Sequence, residues 1–204
     1  MNDTNTNAHP RRVPAWYAIL ILTLTCVVAS ALLAFVYRGT ERKIVEQEKQ
    51  AKLRAIRAVL PTFDNDPTSD VRTIISGGVS YEYYLGKWSN EITGVAFEGY
   101  EMGYGGQIGI MIGVKPDGKV TGIEILGYKE TPGLGTKASR PAFRDQFKGI
   151  SWEGLKLQQD GGRIEAITGA TITSRAVTKG VREALERYLQ NKNDICPEET
   201  SRYF

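Results

Sequence analysis

The uncharged run from Trp16 to Val36 constrains the fold more than any other feature of the sequence. As a helix it spans roughly 32 Å at ~1.5 Å per residue, enough to cross a bilayer core of ~30 Å. Trp16, Tyr17 and Tyr37 stand at its two ends, as is typical of membrane–water interfaces. A cleaved signal peptide is the competing interpretation, with Ala29-Ser30-Ala31 as the cleavage site, but the run continues past that site. The sequence therefore predicts a membrane-spanning helix.

The basic residues around this run do not settle its orientation. Arg11 and Arg12 precede it, and a larger basic group follows it closely, namely Arg38, Arg42, Lys43, Lys49, Lys52 and Arg54. By the positive-inside rule the larger part of the chain would face the cytoplasm. That rule is weak for long translocated domains, so the charge count leaves both orientations open.

Charge and composition exclude several function classes. The net charge of +3 is too small for a nucleic-acid binder. The only histidine is His9, and the two cysteines, Cys26 and Cys196, lie far apart. We therefore expect no disulfide, no metal site and no histidine-based catalytic residue, with Cys196 as a free surface thiol. Any redox chemistry then requires an organic cofactor.

Strand patterns dominate the chain after residue 70. A helix from Glu41 to Leu60, with a solvated charged face, should end at Pro61, and a polar loop follows it. The predicted strands are Val71–Ile75, Tyr81–Leu85, Gly94–Phe97, Ile108–Val114 and Val120–Leu126. The last two flank a turn at residues 115–119, and their apolar residues on both faces predict a central hairpin.

The C-terminal third reads as short elements before one longer helix. We expect a short helix at Ala142–Phe147 and a short strand at Ile164–Ile167. Thr173 or Ser174 should cap a final helix whose apolar face holds Val177, Val181, Leu185 and Leu189, and the tail from Asn191 should be irregular. Runs of strands with helices at the ends predict an α+β domain.

The segment from Glu165 to Ser174 carries the chemistry. It reads as a strand, a turn of small residues and a helix N-terminus, where backbone amides and the helix dipole favour a phosphate. Gly169 and Ala170 permit close approach to the backbone, and Arg175 adds positive charge. A phosphate site and a plainly capped helix start both fit this short pattern.

Three motifs together resemble the FMN-binding domain family. Residues 168–173, Thr-Gly-Ala-Thr-Ile-Thr, resemble its S/T-G-A-T-x-S/T flavinylation motif. Residues 128–135 resemble its H-x-E-T-P-G-L-G segment, with Tyr128 in place of His, and residues 104–108 resemble its Y-G-G-x-I strand entry. The family includes the RnfG subunit of Rnf electron-transport complexes and the NqrC subunit of sodium-pumping NADH:quinone reductases. The match covers the apolar run and roughly residues 94–189.

The resemblance implies a covalent cofactor. In the family the last Thr of G-A-T accepts FMN, which a flavin transferase takes from FAD and leaves as a phosphoester. That residue is Thr171 here, and Glu165 stands where the family has Asp. The resemblance implies cofactor contacts around the phosphate and ribityl chain from Thr168, Gly169, Ala170, Thr173 and Arg175. Five further residues are expected either to lie near the flavin ring or to shape its loop, namely Glu130, Thr131, Leu134, Gly135 and Lys137. Tyr104 either stacks on the ring or fills the core.

The resemblance also resolves the orientation and the architecture. It implies an α+β chain with an N-terminal transmembrane helix followed by one extracytoplasmic FMN-binding domain of mixed sheet and helix. The expected host is the bacterial inner membrane, with the flavin on the periplasmic side. The expected divisions are a cytoplasmic tail (1–15), a transmembrane helix (16–37), a stalk helix (38–62), the FMN-binding domain (63–190) and a C-terminal tail (191–204).

An electron carrier within a larger complex is the function that the resemblance implies. The expected complex is an Rnf-type ferredoxin:NAD oxidoreductase that couples electron transfer to sodium or proton translocation, with its other membrane subunits as partners. An NqrC-like subunit is the first alternative; the compact soluble domain favours RnfG. A flavin-free assembly subunit and a stand-alone flavoreductase are the others. The segment at residues 103–106 lacks the G-x-G-x-x-G spacing of an NADH-binding turn.

Overall fold

The computed structural model describes residues 14–127, 133 and 135–197, except for the side chains of residues 41, 42, 44 and 45. The chain divides into two compact units, residues 1–48 and 49–204. The first helix, α1 (Ala15–Val59), contributes to both units. In the first unit, Ala15–Thr40 is long and apolar enough to cross a membrane, with a mean hydropathy of 2.7, as the uncharged run predicted.

The second unit is built on one antiparallel sheet in the order β1-β2-β3-β4-β5. The strands are β1 (Val71–Ser76), β2 (Val79–Trp88), β3 (Glu91–Met102), β4 (Gln107–Val114) and β5 (Val120–Gly127). All five predicted strands are present and the α+β class is confirmed. The prediction of a central β4–β5 hairpin is wrong, because β5 is an edge strand. Its residues are apolar on both faces because helices cover both faces of this sheet.

Two apolar clusters lie on opposite faces of the sheet. The larger contains β-strand residues such as Phe97 and Ile110 together with α3 (Thr171–Gln190), which supplies Val181 and Leu185. The smaller holds Ala55, Ile56, Val59 and Leu60 from the end of α1 and its following residue against Tyr84, Ala96 and Met111. The last turns of α1 are therefore part of the core of the second unit.

A glycine allows α1 to end against the sheet. A Cβ at Gly113 would lie 2.1 Å from the carbonyl oxygen of Val59 and 2.6 Å from Oγ1 of Thr121. The Thr121 hydroxyl donates a hydrogen bond to the same Val59 carbonyl, which would otherwise be left without a partner at the helix C-terminus. Helix α1 is thus fixed to the middle of the sheet by contacts that only a glycine at this position permits.

Lys52 joins α1 to two strands. Its Nζ lies 3.2 Å from Oε2 of Glu82 on β2 and 2.8 Å from Oε1 of Glu98 on β3. Burial alone would lower the pKa of Lys52, but hydrogen bonds with Glu98 and Tyr84 outweigh it and the pKa is raised. The pKa of Glu82 is lowered, first by the hydrogen bond from Tyr84 and then by that from Lys52. The charged face of the predicted helix is therefore partly engaged rather than fully solvated.

We expect Lys52→Gln to lower the free energy of unfolding at pH 7 by about 1 kcal/mol, the upper range for partly exposed ion pairs. Because the pKa of Glu82 is lowered in the fold, its contribution is present above the ordinary value of 4.5 and is lost as the pH falls through the folded value. Thermal melts of the full chain in detergent should show a wild-type advantage at pH 7 that narrows below pH 4.5. Lys49→Gln, on the same helix, is the control; an equal loss there would contradict the role of Lys52.

In the C-terminal third one prediction is confirmed and four are wrong. The short helix at 142–147 is present as α2 (Pro141–Arg144) followed by a 3₁₀ turn, with Pro141 at its start. The predicted strand at 164–167 is wrong: Ile164 forms one isolated parallel bridge with Leu157. The N-cap of α3 is Ala170, not Thr173 or Ser174. The predicted irregular tail contains α4 (Lys192–Ile195), and the predicted surface thiol of Cys196 is buried because α4 packs it beside Tyr188.

Candidate functional site

A tight turn precedes α3. Gly169 has a φ of +79°, a conformation that favours glycine, and the amide of Ala170 donates to the carbonyl of Ile167 at 2.9 Å. Ala170 then caps the helix without a side-chain hydrogen bond. Most N-caps carry a polar side chain that accepts from the first-turn amides. Here the cap residue has none to offer, so the helix start is suited to an external anion.

Ser174 holds the turn against the helix. Its Oγ accepts from the amide of Ile167 at 2.9 Å and donates to the carbonyl of Ala170 at 2.9 Å. The side chain is fully buried. One hydroxyl thus connects the residue before the turn to the cap after it, and the backbone path across residues 167–170 is fixed from inside.

We expect Ser174→Ala to destabilise the full chain by about 1–3 kcal/mol, because the partly buried amide of Ile167 loses its acceptor. Thr178→Ala is the matched control, since the Thr178 hydroxyl is also buried but donates to the carbonyl of Ser174 within α3. Thermal melts of both variants in detergent measure the difference. Equal or smaller loss for Ser174→Ala would show that the hydroxyl does not hold the turn.

The predicted phosphate-side residues divide by exposure. Thr168 and Gly169 are exposed, and Thr171, the first residue of α3, is half-buried with part of its surface accessible. Thr173 is 2% exposed, so its hydroxyl lies inside the protein rather than at the surface of the turn. Arg175 is exposed and pairs with Asp160, with Nε 3.2 Å from Oδ2. The turn therefore presents Thr171 at the surface between small residues and one guanidinium.

The two other motifs are described only in part. Residues 128–132 and 134, with Glu130, Thr131 and Leu134, lie outside the described residues. Gly133 has a φ of +81°, and its amide donates to Oγ1 of Thr136 at 2.9 Å. The following 3₁₀ turn, Gly135–Ser139, contacts α3, with Gly135 buried and Lys137 half-buried. The end of this motif thus packs on the helix that Thr171 begins.

Tyr104 lies in the β3–β4 turn and is 72% exposed. The alternative that it fills the core is therefore wrong. The amide of Gly103 closes the turn by donating to the carbonyl of Gly106 at 2.8 Å, which leaves the side chain of Tyr104 outside. An exposed aromatic ring in this position is free to contact a ligand or a neighbouring protein.

Contacts between α3 and β3 fix the direction of the helix. A Cβ at Gly99 would lie 2.9 Å from the carbonyl oxygen of Gly180, and Lys179 pairs with Glu101 at 2.9 Å. Helix α3 therefore runs antiparallel to β3. The N-terminal end of α3, with Thr171, points toward the same end of the sheet as the turn that holds Tyr104.

The ion pair between Glu101 and Lys179 shifts the pKa values of both groups. Burial alone would raise the pKa of Glu101. Hydrogen bonds from Lys179 and from the amide of Met102 outweigh that effect, so the pKa is below its ordinary value. The pKa of Lys179 is raised, first by its hydrogen bond with Glu101. Both groups are charged at neutral pH and hold α3 on β3.

Two functional contacts have no signal in the sequence. Ser174 was predicted as a possible cap, whereas its role comes from the amide of Ile167, seven residues earlier. Asp160 lies in a Gln-Asp-Gly-Gly turn that reads only as a loop. Its contact with Arg175 depends on the path of residues 155–164, which the sequence pattern does not define.

Two family models match the chain in order. The RnfG N-terminal region matches residues 18–59, which lie within α1. The FMN-binding domain matches residues 103–186, from the β3–β4 turn into α3. The turn before α3 therefore lies inside a domain that is defined by FMN binding.

Relatives and a solved structure agree with these models. The chain is 35% identical to the G subunit of the ion-translocating oxidoreductase complex of Stutzerimonas stutzeri, over 87% of this chain and 84% of the relative. It is 36% identical to the G subunit of the proton-translocating ferredoxin:NAD(+) oxidoreductase complex of Clostridium ljungdahlii, over 81% and 87%.

The fold is similar to that of the C subunit of the Na(+)-translocating NADH-quinone reductase from Parabacteroides distasonis. The TM-score is 0.57 at 17% identity, over 74% of this chain and 96% of that one. At this identity the likeness concerns the fold alone. The sequence matches, by contrast, extend through the apolar helix and the FMN-binding domain together. The chain belongs to the RnfG family, the membrane-anchored G subunits with an FMN-binding domain.

Proposed function

We propose that this chain is an electron-carrying subunit of an Rnf-type ferredoxin:NAD oxidoreductase that couples electron transfer to sodium or proton translocation. The observation that carries the proposal is the match to the FMN-binding domain. That match includes the start of α3, where the cap residue, Ala170, offers no side-chain acceptor to the first-turn amides. The names of the G-subunit relatives support the complex. The NqrC alternative is weaker, since it rests on a likeness of fold at 17% identity.

Thr171 is the proposed point of covalent attachment. Its hydroxyl oxygen would form a bond to the FMN phosphorus of FAD while the bond between the two phosphates breaks, AMP leaves and the hydroxyl proton is lost. A flavin transferase would provide this step. The half-buried position of Thr171 at the start of α3 supports it, because the phosphate then meets the amides and positive dipole of the helix.

The neighbouring residues fit a phosphodiester. Gly169 and Ala170 add no bulk beyond a methyl group in front of the helix, and Thr168 is exposed beside them. Arg175 lies one helical turn after Thr171 and, although paired with Asp160, is exposed enough to balance a further negative charge. For Thr173 we propose its first-turn backbone amide rather than its buried hydroxyl as the contact.

The ring end of the cofactor is proposed at the second motif. Glu130, Thr131 and Leu134 remain proposed contacts, with Gly135 and Lys137 supported by the packing of their 3₁₀ turn on α3. Tyr104 is proposed to stack on the ring from its exposed position. Bound FMN supplies reversible electron transfer. The chain holds the phosphate, orients the ring and leaves an edge accessible to a partner.

The flavin domain is proposed to lie on the periplasmic side of the inner membrane, with residues 1–15 in the cytoplasm. An ester bond is suited to that side, because a cofactor on an open surface would otherwise be lost by dissociation. Fusion of alkaline phosphatase to the C-terminus tests this orientation. Enzymatic activity is expected, and an inactive fusion that is present in full amount would reverse it.

Intact mass of the denatured chain tests the attachment. The protein is co-expressed with a flavin transferase whose activity on another acceptor is established. We expect a mass gain equal to FMN less one water, which is absent in Thr171→Ala. A gain that persists in Thr171→Ala would move the bond to another residue, and no gain in either protein would favour a flavin-free assembly subunit.

A further inference from the structure

A basic groove runs along one side of α3. Its cavity of about 350 Å³ is lined by the buried side chains of Leu155 and Leu157, by Thr178, by one carboxylate, Asp160, and by four cations. These are Lys156, Arg175, Lys179 and Arg182. The cations extend over two turns of the helix, roughly 10 Å, which is longer than a single phosphate or carboxylate group.

Two of the four cations already hold carboxylates of the chain itself. Arg175 pairs with Asp160, and Lys179 pairs with Glu101. Within the part of the chain that the structure describes, Lys156 and Arg182 have no such ion pair. The groove therefore keeps two positive charges available at its two sides.

Arg182 is held ready for a planar anion. Its guanidinium stacks on the ring of Trp152, with the carbon Cζ 4.2 Å from the ring centroid. Its Nε atom is buried and has no hydrogen-bond partner among the described residues. The two terminal nitrogens of this guanidinium are not among the buried unpaired atoms, and their N–H groups match a carboxylate in two-point contact.

The groove lies on the same face of α3 as Thr171. Positions 171, 175, 178 and 182 follow the i, i+4, i+7, i+11 spacing that aligns residues along one side of a helix. Arg175, Thr178 and Arg182 line the groove, so it begins about one turn beyond Thr171. A protein segment bound in the groove would lie next to the proposed flavin attachment.

We infer that this groove, lined by Lys156 and Arg182, docks an acidic segment of a neighbouring subunit of the membrane complex. The inference rests on the proposed role as a complex subunit. Docking by charge in this position steers a partner to the flavin-bearing end of α3 and keeps the contact reversible. The partner is recognised by Asp or Glu side chains spaced along an extended or helical segment.

Carbodiimide cross-linking of the purified complex tests the contact. The reagent joins a lysine amine to a carboxylate in direct contact, forming an amide while the carboxylate oxygen leaves as the urea. We expect peptide mass spectrometry to find Lys156 joined to an Asp or Glu of another subunit. The intramolecular amide between Lys179 and Glu101, whose atoms lie 2.9 Å apart, serves as the internal standard.

Three variants make the test specific. Lys156→Arg keeps the charge but removes the reactive amine, so the inter-subunit amide should disappear while assembly persists. Arg182→Glu should lower the yield of that amide about 10-fold. Lys148→Glu reverses an exposed charge outside the groove and should leave the yield unchanged.

The outcomes separate this inference from the proposed function. Formation of the Lys179 standard without an inter-subunit amide at Lys156, or an amide yield unaffected by Arg182→Glu, overturns the docking. Protection of Lys156 from acetylation by inorganic phosphate, in a complex without that amide, assigns the groove to a small anion and also overturns it. The yield of the amide does not depend on flavin content. A flavin-free complex that still gives the amide at Lys156 therefore contradicts only the carrier function.

Discussion

Thr171→Ala should lower ferredoxin-dependent electron transfer by the assembled complex about 100-fold or more, because Thr171 is the proposed attachment point of the flavin and the described residues offer no metal centre in its place. The alanine keeps the backbone at the start of α3 and adds no bulk, so the complex should assemble as in the wild type. Stopped-flow reduction of the purified complex measures the rate, and native gel electrophoresis measures assembly.

Two further variants define the meaning of that loss. Thr171→Ser keeps a hydroxyl at the same position and should recover at least part of the proposed covalent flavin and of the electron-transfer rate. Thr73→Ala makes the same chemical change at an exposed position of β1 and should have no effect. Wild-type electron transfer in Thr171→Ala would contradict the carrier function, even if the chain remains essential for assembly.

Gly113→Ala should destabilise the chain by about 3 kcal/mol or more, because its Cβ would lie 2.1 Å from the carbonyl oxygen of Val59. The atom it meets is backbone, so relief requires α1 to move away from the sheet and the smaller apolar cluster to open. For a chain of this size we expect the melting temperature in detergent to fall by about 6–12 °C.

Gly122 provides a matched control. It is the cross-strand partner of Gly113, and a Cβ at this position would lie 3.8 Å from its nearest neighbour, an ordinary contact. Gly122→Ala should therefore melt within a degree or two of the wild type. Similar melting of both variants would show that α1 does not end against Gly113 as described.

Features with a local cause were predictable from the sequence. The apolar run gave the first helix, and alternating or continuous apolar runs between turn residues gave all five strands. The turn before α3 was also predictable. Gly169 lies among small residues directly before an amphipathic helix, where a glycine is typical of a tight turn.

Features that depend on long-range packing were not predictable. The edge position of β5 was missed because helices cover both faces of the sheet, so apolar content alone cannot distinguish this edge strand from a central one. Cys196 is buried because α4 returns it to the core beside Tyr188. Ser174 accepts a hydrogen bond from the amide of Ile167, seven residues earlier, and no pattern in the sequence indicates that contact.

The end of α1 has a practical consequence for dissection of the protein. Ala55, Ile56 and Val59 cover Tyr84, Ala96 and Met111, and Lys52 pairs with two strands just before them. A soluble fragment cut at the start of β1 would lose this cover and expose an apolar sheet face to water, which promotes self-association. A fragment that begins near Lys49 lacks the apolar membrane segment but keeps the smaller apolar cluster whole. It is therefore the better fragment for crystallisation.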